Sequence, residues 1–162
     1  MFQLFLFLHV MGAIVVFGPS FAFPFIAAQV QKAPQHGHFA AVVMDVIERR
    51  LIIPGAIVQG ITGVALILIA GRDLTSAANR WLGIAIVLYL IAVLFAIFVQ
   101  AKNAEKMVHL SANMPSGPPP AGAPAGPPPE IAATGKKLAQ GGQLLAGLIV
   151  LIVLLMVTKP TF

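Results

Sequence analysis

The chain has 162 residues, 59% of them hydrophobic and 9% charged, with a formal net charge of +5. This composition leaves no room for a second globular domain beside the apolar stretches, and the absence of cysteine excludes disulfides, iron–sulfur clusters and thiolate metal sites. The basic excess flanks the apolar stretches, so it reads as orientation signal beside anionic lipid and not as a nucleic-acid surface.

Four runs, Phe2 to Ala28, Leu51 to Ala70, Trp81 to Val99 and Leu138 to Val157, contain no Asp, Glu, Lys or Arg. About 20 apolar residues at 1.5 Å per residue cross the roughly 30 Å hydrocarbon core. Each charge at a helix centre would cost about 2.5–3.5 kcal/mol. Lipid offers the backbone no hydrogen bonds and the runs show no period-2 alternation, so they must be helices. The fold class is therefore all-α, a four-helix transmembrane bundle, with helices predicted over about 2–28, 39–70, 81–110 and 138–158.

The first helix lacks a basic leading segment and a small-residue cleavage site, so it reads as a mature span and not a signal peptide. Pro19 and Pro24 remove backbone donors and predict a kink near Gly18 to Ser20. His9 lies about seven positions inside this helix, roughly 10 Å below the boundary, where an imidazole must find a partner or a cavity. The stretch from Phe39 to Leu51 reads as an amphipathic lead-in to the second helix, with Asp45 and Arg49 paired one turn apart. Ala56, Gly60 and Gly63 then offer small residues for close helix approach, and Gln59 and Thr62 sit near the midplane.

Trp81 opens the third helix at a depth suited to the interfacial aromatic belt, and Tyr89 lies eight residues further in. This helix is expected to run on into a solvated extension carrying Lys102, Glu105, Lys106 and His109. Residues 115–129 are dominated by proline and predict a polyproline II spacer; the alternative is a ligand for a proline-binding module. Counting Lys and Arg, one face holds seven (Lys32, Arg49, Arg50, Lys102, Lys106, Lys136, Lys137) and the other three (Arg72, Arg80, Lys159). The positive-inside rule then places both termini on the outer side.

His9, Gln59, Thr62 and Tyr89 are at comparable depth and are expected to form one polar cluster. That cluster is either a hydrogen-bonded network fixing helix packing or a cofactor or ion site. His36, His38 and His109 fall on the inner side, across the bilayer from His9. With Asp45 or Glu105 they are either a metal set or, as their irregular spacing favours, solvated loop residues, so no metal ligand is assigned. The chain shows no nucleophile–base–acid set or phosphate loop, and the lack of carboxylates within the spans argues against a proton-coupled pump, though not against a facilitator.

Leu8-His9 with Gly12-Ala13, Glu48-Arg49-Arg50-Leu51 with Pro54 and Gly63, and Met156 with Lys159-Pro160 resemble features of the CopD and HemJ type membrane families. Over most of its length the chain is similar to a related bacterial family of predicted integral membrane proteins, through Pro54, Gln59, Thr62-Gly63, the Trp81 to Gln100 helix and Lys159-Pro160. The resemblance implies a haem b or copper association. His9 is then a candidate axial ligand, with Tyr89 the nearest polar residue on the third helix, where the HemJ pattern has a histidine. Lys159 becomes a partner for a propionate or substrate carboxylate. The proline-rich stretch replaces the polar motif of that pattern before the fourth helix.

These observations predict a multi-pass protein of the bacterial cytoplasmic (inner) membrane. The leading expectation is a non-catalytic accessory or assembly component that contacts the lipid bilayer and a membrane-protein partner or further copies of itself. The competing expectation is a haem b or copper redox protein built on His9, and the third a small-solute facilitator lined by His9, Gln59, Thr62 and Tyr89.

Overall fold

The computed structural model describes residues 1–113 and 126–160, and most of the predicted proline-rich spacer at 115–129 lies outside the described residues. Among the described residues the chain is all helical, with four helices long and apolar enough to cross a membrane: α1 (Phe2–Lys32), α2 (Pro34–Ile69), α3 (Ala77–Ala112) and α4 (Pro129–Thr158).

α1 tightens to a 3-10 turn over Gly18–Ala22 and resumes as an α-helix over Phe23–Lys32. The change of helix type falls where Pro19 and Pro24 cannot donate to the preceding carbonyls. α1 and α2 are separated by Ala33 alone. Its backbone (φ −136°, ψ 70°) lies outside the α region, which the ring of Pro34 disfavours for the residue before it. Pro34 then opens α2, five residues ahead of the lead-in predicted from hydropathy, because proline at the first helical position gives up no hydrogen bond. α4 likewise begins at Pro129, well before the apolar run. Proline starts it, Glu130 complements its N-terminal dipole, and good helix formers carry it to the membrane boundary.

α2 and α3 are joined by a tight turn. Gly71 (φ 59°) occupies the left-handed position of a Schellman motif: its N–H donates to the Leu68 carbonyl and the Arg72 N–H to that of Ile67. The Asp73 carboxylate accepts from the Thr75 hydroxyl (2.7 Å) and backbone N–H (2.9 Å), and these bonds hold it below the usual carboxylate range. Asn79 Nδ2 donates to the Asp73 carbonyl, while its Oδ1 accepts from Arg72.

α1 packs along the Ile53–Ile69 half of α2, and α3 packs along α4. The other half of α2, Gly37–Ile47, packs against Ala101–Ala112 of α3. Two π-turns, Glu48–Ile52 in α2 and Ala96–Gln100 in α3, interrupt the regular ladders between these halves. The largest buried cluster joins Trp81, Leu82 and Ala85 of α3 to Leu155 of α4. Trp81 is only 5% exposed. Its ring turns inward onto α4, whereas a residue of an interfacial aromatic belt faces lipid.

Arg49 ties α2 to this part of α3. Its Nε donates to Asp45 Oδ1 (2.9 Å), and its Nη2 donates to the Ala101 carbonyl (3.1 Å) and to Glu105 Oε2 (3.0 Å). The Asp45–Arg49 pair read from the sequence is therefore part of a bridge to α3. Arg49→Met keeps the alkyl stem but removes all three bonds, and a loss of about 1 kcal/mol is expected for such a partly exposed pair. Thermal unfolding in detergent checks this, and the gap between wild type and variant should narrow at 1 M salt, where screening is near-complete.

Candidate functional site

His9, Gln59 and Thr62 meet at the α1–α2 contact, where His9 and Gln59 are each seated against a glycine of the opposite helix. A Cβ on Gly63 would stand 3.2 Å from His9 Cε1, and a Cβ on Gly12 would stand 2.6 Å from Gln59 Oε1. The spacing explains the fit. His9 and Gly12 are three apart on α1 and Gln59 and Gly63 four apart on α2, so each helix presents a knob and a notch on one face.

Hydrogen bonds close this arrangement. Gln59 Nε2 donates to the His9 carbonyl (2.8 Å), and Thr62 Oγ1 donates to the Gln59 carbonyl (3.0 Å) while lying 2.9 Å from His9 Nδ1. The hydroxyl has one proton, committed to the carbonyl, so its lone pair accepts from His9 Nδ1–H. An Nδ1–H on His9 satisfies this geometry and leaves Nε2 as the ring nitrogen outside it. No hydrogen bond engages Nε2 among the described residues, and the ring is half-buried.

Tyr89 is not bonded into that group. Its hydroxyl donates to the Ala56 carbonyl, and the ring lies against Gly60, joining α3 to a different face of α2. An open groove beside it is lined by aliphatic side chains of both helices, with the Tyr89 hydroxyl its only polar side-chain group. Lys159 sits in the left-handed conformation (φ 45°) at the C-terminal cap of α4, its N–H donating to the Leu155 carbonyl. It makes no hydrogen bond or ion pair with the His9 group among the described residues.

Where Gly37–Ile47 of α2 meets Ala101–Ala112 of α3, His38 Nδ1 lies 3.0 Å from Ser111 Oγ, whose own proton goes to the Val108 carbonyl. The logic of His9 and Thr62 is thus repeated between α2 and α3. Among the described residues no three His, Asp or Glu side chains converge as a metal set, so His36, His38 and His109 do not gather.

Besides Asn79 at the start of α3 and Thr134 of α4, three further buried polar residues lie outside the site candidates read from the sequence. Glu48 and Gln100 occupy the two π-turns, and Ser111 pairs with His38. Gln100 Nε2 donates to the Leu138 carbonyl (3.1 Å), while its Oε1 is buried without a partner among the described residues. The available signal was the glycine pair Gly141-Gly142 on α4, which a polar residue closing the third apolar run could face.

The family described as predicted integral membrane proteins (DUF2269) matches residues 3–160, and the chain belongs to it. No curated protein and no solved structure matches the chain.

Proposed function

We propose that this integral membrane protein is a non-catalytic accessory or assembly component, whose intramembrane polar groups hold its own helices in place and do not act on a substrate. The observation that supports this reading is the reciprocal seating of His9 on Gly63 and Gln59 on Gly12. It spends the side-chain amide of Gln59, the hydroxyl of Thr62 and one ring nitrogen of His9 on α1–α2 contacts. We also propose the bacterial cytoplasmic membrane as its location, with the termini outside and the lysine-rich ends of α3 and α4 inside, from the seven-to-three distribution of basic residues. The remaining apolar surface serves lipid and a membrane-protein partner or further copies.

A second reading, a haem b or copper association, draws on one specific observation. A ligating imidazole commonly donates its other ring N–H to a fixed acceptor, and His9 Nδ1–H is so held by Thr62. His9 Nε2 then fits a single axial position, and the group would supply redox chemistry there.

Absorption spectroscopy of the purified, detergent-solubilised protein, expressed with ample haem, decides between the two. On the leading reading the protein is colourless, and His9→Ala or Thr62→Val only lowers its stability, by about 1 kcal/mol for each interhelical bond lost. A Soret band in the wild type that His9→Ala abolishes would overturn it.

A further inference from the structure

Where α3 and α4 leave the apolar layer, an open groove between them changes polarity along its length. Phe95, Phe98 and Leu144 line the end toward the membrane, and Lys102, Lys137 and Gln140 line the other. The helices run antiparallel, Trp81 packing near Leu155 and Gln100 bonding to Leu138. Phe95 and Lys102 are seven positions apart on α3, as are Leu144 and Lys137 on α4, so both walls pass from apolar to cationic over about 10 Å. No carboxylate lines the groove, and Glu105, the nearest acid on α3, is turned to α2 by Arg49.

We propose that this groove seats an anionic phospholipid. Its phosphate lies between the ammonium groups of Lys102 and Lys137 with the Gln140 amide donating to it, and an acyl chain runs along Phe95, Phe98 and Leu144. Charge complementarity selects the occupant. Two cations with no acid lining the groove suit a net negative headgroup, whereas a zwitterionic lipid brings its own ammonium into the same positive field. The apolar half requires an acyl chain, which separates a lipid from a free phosphate. This inference uses only the membrane embedding and is independent of the accessory role.

The test titrates the full-length protein in detergent with phosphatidylglycerol, read by native mass spectrometry. About fivefold in affinity is expected from each lysine, so Lys102→Gln/Lys137→Gln should bind about twenty-five-fold more weakly. Lys32→Gln/Arg50→Gln, which removes the same charge away from the groove, should stay within about twofold of wild type. Lys137→Gln alone, expected near fivefold, gives a readable result should the double variant express poorly. Four results would each overturn the proposal: undiminished binding by the groove variants, an equal loss in the distal pair, equal affinity for phosphatidylcholine, or displacement of the lipid by glycerol phosphate at lipid-like concentrations.

Discussion

Gly55→Leu is expected to separate α1 from α2 and to lower stability by about 3 kcal/mol or more. A Cβ at Gly55 would overlap Val16 Cγ2 and stand 2.9 Å from Val16 Cγ1. Val16 is 7% exposed, and its branched side chain has essentially one rotamer available in a helix, so it cannot step aside. The helices themselves must move. Overpacking of this kind costs about 1–3 kcal/mol, and separation also stretches the bonds that Gln59 and Thr62 make across the same contact, at about 1 kcal/mol each. Reversible unfolding in mixed micelles measures the loss. A cycle with Gly55→Ala and Val16→Ala isolates the cause, because the second change should recover most of the cost of the first if the clash is the mechanism.

Gly141→Leu should have an effect of similar size on the other helix pair. A Cβ there would overlap Gln100 Oε1 and stand 3.2 Å from Gln100 Cδ and 3.3 Å from Phe95 Cε1. Gln100 is 8% exposed, and its amide is anchored on the Leu138 carbonyl. Displacing it breaks that bond and strands polar groups in a medium without donors, about 1–3 kcal/mol beyond the packing cost. The chain has one tryptophan, and Trp81 is packed between α3 and α4. Its emission should shift in Gly141→Leu and hold steady in Gly55→Leu. Equal shifts in both variants would contradict the division into two helix pairs.

The four spans were legible because hydrocarbon forbids alternatives: a charge-free run of this length has nowhere else to go. Hydropathy marks where lipid is, however, and not where a helix starts, which is why α2 and α4 begin at Pro34 and Pro129 and not at the predicted boundaries. Depth could be counted along the chain, so His9, Gln59, Thr62 and Tyr89 were placed at comparable levels. The direction in which each side chain points around its helix could not. That missing angle is why Trp81 was assigned to the belt, and why Tyr89 was grouped with residues that lie on another face of α2. The glycines opposite His9 and Gln59 acquire their meaning only once the two helices are set face to face. Gln100 was hidden for the same reason, since its partner is a backbone carbonyl of α4.

The two wide turns, Glu48–Ile52 and Ala96–Gln100, each accommodate one surplus residue relative to an uninterrupted α-helix, and one residue advances the side-chain azimuth by about 100°. A rod without that phase slip would keep a single stripe toward a single neighbour from end to end. By rephasing midway, α2 offers one stripe to α1 along Ile53–Ile69 and a different stripe to α3 along Gly37–Ile47. Three helices thus engage in sequence, and deleting the surplus residue from α2 would misalign either the imidazole notch or the guanidinium strap.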